Sequence, residues 1–156
     1  MSVNLKSLAI VIDLATRKRD EAGKMVAAAM RDLNQAQLQL QQLTDYAADG
    51  EAKWRERAAT GVSVALMQHQ RAFAEKIQQA VDFQATVIEQ KQNALEATRQ
   101  NLQEKEQTLA TLEKVAERTR MANELAEQKR QQKQTDEMAM TMLAFQRRQH
   151  EQEYQT

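Results

Sequence analysis

The fold is decided by the sequence from Met67 to Ala116, which reads MQHQRAFAEKIQQAVDFQATVIEQKQNALEATRQNLQEKEQTLATLEKVA. An apolar side chain returns at every seventh position, a set that we call the Met67 column: Met67, Ala74, Val81, Ile88, Leu95, Leu102, Leu109 and Ala116. Because an α-helix makes a turn every 3.6 residues, a sustained seven-residue repeat lines up one narrow apolar face, which a second helix buries by supercoiling. The stretch therefore predicts a long coiled-coil helix.

The N-terminal part of the chain supplies the partner helix. Residues spaced alternately three and four apart form what we call the Leu5 column: Leu5, Leu8, Ile12, Ala15, Arg19, Ala22, Val26, Ala29, Leu33, Ala36, Leu40, Leu43, Ala47, Gly50 and Trp54. Only Arg19 and Gly50 break its apolar character. Between the two columns, residues 58–65 read AATGVSVA, in which Gly61 ends one helix and Ser63 caps the next. The sequence thus predicts an all-α fold, a long antiparallel two-helix coiled coil.

The expected boundaries follow from these patterns. We predict a single unit over residues 1–156, with helix 1 at about 3–57, the turn at about 58–65 and helix 2 at about 66–150. Ser2 or Asn4 is positioned to cap the first helix. If the chain reverses at Gly61, Leu5 lies about as far from the turn as Glu117. The pairing is therefore expected to end near residue 117.

Beyond about residue 117 the chain is predicted to continue as an unpaired helical tail. The seven-residue repeat continues there as Asn123, Arg130 and Glu137, which a partner helix would not bury. A lone helix of this kind is marginal in water. The tail also carries an apolar cluster with adaptable thioethers: Met138, Met140, Met142, Leu143 and Phe145. Two interpretations are open, a frayed end or a docking helix that a partner orders.

Composition and charge exclude several classes of protein. Lys plus Arg and Asp plus Glu are equal at 22 each, so no net charge draws the chain to nucleic acid. The basic groups at residues 17–19 and 129–133 lack stacking aromatics and are interpreted as solvated faces. The chain has no Cys, which excludes disulfides and thiolate metal sites. No apolar run reaches the roughly 18 residues of a membrane span, and no secretory signal is expected.

Site chemistry is also missing from the sequence. The two histidines, His69 and His150, are far apart, and neither has the spacing of a metal site. A two-helix hairpin offers no cleft in which a reacting group is desolvated. We therefore expect no catalytic residues, no metal and no cofactor, and hence no enzyme.

The apolar face of the second helix is broader than one partner helix requires. Phe73, Ala80 and Val87 run beside the Met67 column. Surplus apolar surface on a hairpin indicates either a binding patch or simple core packing, and the residues alone leave both open. Ala47, Ala48 and Gly50 have little or no side chain, so the first helix is narrow opposite this part of the second helix. A partner could approach closely there, or the helix could bend.

At these residues the sequence resembles the FliJ family of flagellar type III export proteins. The resemblance covers nearly the whole chain and depends on two segments beside the turn, QLQQLTDYAADGEAKW at 39–54 and MQHQRAFAEKIQQA at 67–80. It implies an antiparallel coiled coil similar to the rotor stalk of rotary ATPases, whose terminal end enters the hexameric export ATPase. The tail cluster is then the expected ATPase contact.

The resemblance further implies that the cytoplasmic domain of the export gate binds six residues, which we call the gate patch: Gln39, Leu43, Tyr46, Phe73, Ile77 and Ala80. Two positions depart from the family pattern, since Gly50 stands where an aromatic is common and Gln84 where a His can occur. Export chaperones are a further class of implied partner. The implied location is cytoplasmic, at the inner face of the membrane at the flagellar base. The alternative function is a free-standing coiled-coil adaptor or oligomeric scaffold that never meets an ATPase.

Overall fold

The computed structural model describes residues 4–155. Two helices make up this part of the chain, α1 at Leu5–Ala59 and α2 at Val64–Tyr154. They pack against each other, and residues 4–155 contain no β-strand. The all-α prediction is therefore confirmed.

The start of α1 is fixed by the predicted cap at Asn4. The Lys6 amide donates a hydrogen bond of 3.0 Å to Asn4 Oδ1, and the Leu8 amide donates one of 3.1 Å to the Asn4 carbonyl. The first bond satisfies an amide that the first helical turn leaves without an intrahelical acceptor, and the second is the first i→i−4 bond of the helix. Ser2, the other predicted cap, lies outside the described residues.

The turn has the predicted chemistry at both of its ends. Gly61 has a φ of 94°. This conformation suits glycine because the Cβ of any other residue would lie too close to the adjacent backbone carbonyl oxygen. The amides of Thr60 and Gly61 donate to the carbonyls of Arg57 and Ala58, which closes α1. The Leu66 amide donates to Ser63 Oγ at 3.2 Å and so caps α2.

Residues 15–108 form one compact unit in which the two helices run antiparallel. Gln84 contacts Ala36, and Phe73 contacts Tyr46. Between these two contacts the residue number rises by ten on α1 and falls by eleven on α2, as antiparallel helices require. The Leu5 column faces inward throughout this unit, and its small residues Ala15, Ala22 and Ala36 are buried. Leu95 of the Met67 column is buried with 7% exposure.

The Met67 column departs from the prediction near the turn. Val81 and Ile88 are half-buried as expected, but Met67 is 53% exposed and Ala74 is also exposed. Gly50 and Ala47 of the Leu5 column are too small to fill the space at this level. The first two members of the column therefore do not belong to the buried interface between α1 and α2, which we call the seam.

A second set of α2 residues lies in the seam at half-buried positions, and most of it is polar. We call it the Gln70 column: Gln70, Ile77, Gln84, Lys91, Thr98, Lys105, Leu112 and Thr119. A two-helix seam needs two columns from each helix, which alternate in spacings of three and four. The sequence pattern revealed only the apolar one of the two on α2.

The second compact unit comprises residues 4–14 and 109–155 of the described chain. Leu8 and Leu109 are its buried apolar residues. Leu5, the predicted first member of its column, is 36% exposed. Every residue from Arg120 to Gln155 is exposed. Neither helix contains, within residues 4–155, an apolar stretch long enough to cross a bilayer.

Candidate functional site

A groove lies beside the turn in the unit formed by residues 15–108. It has a volume of about 730 Å³ and lies between α1 and α2. We call it the turn groove, and its main apolar lining residues are Tyr46, Trp54, Val64, Met67, Phe73 and Ile77. Its charged lining residues are Glu51 and Arg71, which have opposite signs. Three glutamines, Gln68, Gln70 and Gln78, also line it. The groove therefore combines aromatic and aliphatic side chains with uncharged amides, and its lining has no net charge.

The groove exists because the seam residues at this level are small. Ala47 and Gly50 of α1 line it, and so does Ala74 of α2. A Cβ built at Gly50 would meet no heavy atom within 4 Å. Nothing therefore fills the space between the helices where seam side chains interlock elsewhere.

Tyr46 and Phe73 form an aromatic pair across the two helices. Their ring centroids are 6.2 Å apart and the ring planes are inclined by 72°, an edge-to-face arrangement. Such pairs stabilise by about 0.5 to 1.5 kcal/mol beyond the area they bury. Tyr46 nevertheless remains 58% exposed and Phe73 39% exposed. The pair thus holds two rings in a fixed orientation while leaving them available to another molecule.

Gln84 holds the helices together on the side of the groove away from the turn. Its Nε2 atom donates a hydrogen bond of 2.8 Å to the Ala36 carbonyl and another of 3.2 Å to Gln39 Oε1. The amide reaches the α1 backbone because Ala36 has no side chain beyond Cβ. A polar contact of this kind in a seam favours one register of the two helices.

The structure brings three of the six gate-patch residues together, since Tyr46, Phe73 and Ile77 line the turn groove. Gln39 does not line the groove and accepts a hydrogen bond from Gln84. Leu43 and Ala80 are half-buried and do not line the groove. Sequence reasoning did not include Trp54 and Val64 in the patch, although Trp54 stood in the Leu5 column and thin packing was noted at Gly50.

The predicted ATPase contacts lie on α2 in the other unit. Met138, Met140, Met142, Leu143 and Phe145 are between 59% and 72% exposed. Because residues three, four or seven apart share a helix face, Met138, Met142 and Phe145 lie together, whereas Met140 and Leu143 lie on a different face. The cluster is therefore apolar on two sides of the helix and does not form a single stripe.

The described residues offer little to a catalytic mechanism. Residues 4–155 contain no group of three or more acidic or histidine side chains that could hold a metal ion. They also contain no buried side-chain nitrogen or oxygen without a hydrogen-bond partner. His150 lies 3.9 Å from Glu153 and stacks edge-to-face on Tyr154, all on an exposed helix end.

Two long helices that pack against each other define an all-helical protein of coiled-coil character. No curated protein matches the chain. A family model described as "Flagellar FliJ protein" matches residues 5–150. The chain belongs to the FliJ family, and its function is related to flagellar export.

Proposed function

We propose that this protein is a non-catalytic stalk and escort of the flagellar type III export apparatus. In this role the gate patch binds the cytoplasmic domain of the export gate, and an unpaired tail beyond about residue 117 engages the hexameric export ATPase. The proposal rests on one observation above all: a chain matched to the FliJ family leaves an oriented aromatic pair exposed beside its turn. Export chaperones are a further expected class of partner.

The exposure of the aromatic rings supports the gate contact. A ring needed only for the seam would be buried, yet Tyr46 is more than half exposed. Aromatic side chains that enter the centre of an interface typically contribute about 2 kcal/mol or more to affinity. The same rings, because they are partly solvated, contribute less to folding than a fully buried aromatic does.

The gate contact is tested by comparing stability with affinity. In Tyr46→Ala and Phe73→Ala, the affinity for the gate's cytoplasmic domain, measured by calorimetry, should fall by about 2 kcal/mol. The melting temperatures should change little. Leu109→Ala is the matched seam control, because Leu109 is 4% exposed. It should lower the melting temperature and leave the affinity unchanged.

A large melting shift in the two aromatic variants with unchanged gate affinity would contradict the gate contact. Tyr46 and Phe73 would then be ordinary packing residues. The gate patch would have to be abandoned as a binding site.

The exposed methionines of the tail support the ATPase contact. Thioethers adapt to irregular apolar surfaces, and the cluster presents them on two helix faces. A helix that is apolar on two sides suits a partner that surrounds it more than one that offers a flat surface. The surrounding walls of an ATPase ring would meet this requirement.

The ATPase contact is tested by shortening and by point substitution. A chain that ends at Thr119, the last half-buried residue of α2, should keep its seam but lose stimulation of ATP hydrolysis. Met142→Gln should weaken association with the ATPase, whereas the matched Met121→Gln, an exposed methionine outside the cluster, should not. Full stimulation by the shortened chain would refute a docking role for the tail.

The same measurements separate this function from a free-standing adaptor. An adaptor would self-associate or bind other partners, and neither the gate domain nor the ATPase would bind it. Location tests the proposal in cells, where a fluorescent fusion should gather at flagellar bases on the cytoplasmic side of the membrane.

A further inference from the structure

We propose that the turn groove receives an aromatic ring from the export gate's cytoplasmic domain, with Gly50 as the residue that keeps the groove open. This inference rests on the proposed gate contact. It adds a position for the partner's side chain and a residue of this chain that controls access to it.

The shape of the groove supports an inserted side chain. The groove separates α1 from α2 at the level of Gly50, where no heavy atom lies within 4 Å of the position that a Cβ would take. Seam positions further along both helices are buried or half-buried. The opening is therefore local, and its size depends on the missing side chain at Gly50.

The lining chemistry favours an aromatic ring over other groups. Tyr46, Trp54 and Phe73 all line the groove, and Tyr46 and Phe73 are already arranged edge-to-face. A third ring extends such a cluster with the same preferred geometry. The two charged lining residues, Glu51 and Arg71, have opposite signs, so the lining matches an uncharged insert better than an acidic or basic one.

Gly50 is a specificity determinant under this proposal. A large side chain at position 50 would occupy the groove from within and exclude the partner's ring. The same substitution would stabilise the helix, because glycine is a poor helix former. Binding and stability should therefore change in opposite directions, which a purely structural role for Gly50 would not produce.

The first experiment measures the groove with a small uncharged aromatic probe, N-phenyl-1-naphthylamine. Trp54 is the only tryptophan of the chain and lines the groove, so energy transfer from tryptophan detects probe bound near Trp54, and its loss on substitution at position 50 assigns the probe to the groove. We expect transfer in the wild-type protein and its loss in Gly50→Leu. Gly23→Leu is the matched control, because Gly23 also lies within α1 and has open space around its Cβ position, but it does not line the groove.

The second experiment uses the gate's cytoplasmic domain. Gly50→Leu should weaken its binding by about tenfold or more, while the melting temperature of the variant rises. Gly50→Ala should raise the melting temperature and keep the affinity, because one methyl group leaves the groove open. Gly23→Leu should also keep the affinity.

Three outcomes would overturn the proposal. Equal probe transfer in Gly50→Leu and wild type would mean that position 50 does not control the groove. Unchanged gate affinity in Gly50→Leu, together with weakened binding in Phe73→Ala, would leave the gate contact standing and remove the inserted ring. Absence of gate binding by the wild-type protein would reject both the proposed function and this inference.

Discussion

Residues 15–108 contain parts of both helices and residues 120–154 lie in α2, yet helical structure is stabilised differently in these two stretches. In the first stretch, apolar residues alternate with small ones and are buried between two helices, as at Ala22, Ala36 and Leu95. In the second, every side chain is exposed. Helical structure in the first is maintained by packing, whereas in the second it depends on local contacts such as the ion pair between Glu127 and Arg130.

Residues that favour a helix and residues that specify a partner helix are therefore separable features of this sequence. Residues 120–155 are rich in good helix formers and contain no Gly or Pro, so helix propensity favours a helix there without any packing. Their apolar residues do not fall into one column, and hence no second helix is specified. The exposed apolar side chains of this stretch are not needed for packing between helices and are therefore accessible to another protein.

The largest expected difference between the two stretches is in hydrogen exchange. Amides of α2 between Val81 and Thr108 should exchange only when the seam opens. Amides beyond Arg120 should exchange through local fraying with little protection. The difference in opening free energy should approach the global stability, about 5 kcal/mol or more. Mass spectrometry of exchanged peptides measures it, and equal protection in both stretches would show that residues 120–155 are packed.

A charge placed in each stretch should have very different consequences. Leu95→Asp puts an unpaired carboxylate at a position with 7% exposure and should cost about 3 kcal/mol or more. Leu143→Asp, the matched change at an exposed position, should alter stability by less than about 0.5 kcal/mol. Urea unfolding followed by circular dichroism gives both values. Comparable losses of stability would show that Leu143 is packed as closely as Leu95.

A smaller effect is expected from the polar contact within the seam. Gln84→Ala removes the hydrogen bonds to the Ala36 carbonyl and the Gln39 side chain and should cost about 1 kcal/mol. Gln92→Ala is the control, because Gln92 is an exposed glutamine on the same helix. Thermal unfolding of both variants measures the difference, and equal melting temperatures would mean that Gln84 adds nothing to the seam.

The smallest effect concerns the exposed ion pair between Glu51 and Arg55, whose atoms are 2.8 Å apart. Glu51→Gln should lower the free energy of unfolding by only about 0.3 kcal/mol at low salt. The loss should vanish at about 1 M salt, where charges are screened over roughly 3 Å. A larger or salt-independent loss would indicate that Glu51 contributes through its contacts in the turn groove.

The sequence predicted most of the fold because a seven-residue repeat is readable without coordinates. The Leu5 column, the cap at Asn4 and the turn at Gly61 and Ser63 all follow from local rules, and the structure has them. The Gln70 column could not be read in this way, because Gln84, Lys91 and Lys105 resemble surface residues in sequence. Only the register of the two helices places them in the seam.

The candidate site was less predictable from sequence. Tyr46 and Phe73 could be placed at one level by counting back from Gly61. The groove beside them exists because Ala47, Gly50 and Ala74 have small side chains or none. Small residues leave a groove only where they face each other across two helices, and the sequence alone does not give that arrangement. Exposure of Met67 has the same origin. It was predicted as a buried member of its column, yet the residues opposite are too small to cover it.

The loosely packed turn groove also has a consequence for how the hairpin folds. Contacts next to a turn close the shortest loops and cost the least chain entropy, so a helical hairpin would ordinarily zip outward from its turn. Here the first level beyond the turn contains a groove. The hydrogen bond from Gln84 to Ala36 joins residues 48 apart in sequence, and Ala36 is the buried residue of α1 nearest to the turn. The rate-limiting step of folding is therefore expected to close this longer loop, which makes Gln84 and Leu40 better candidates for the folding nucleus than the residues of the turn.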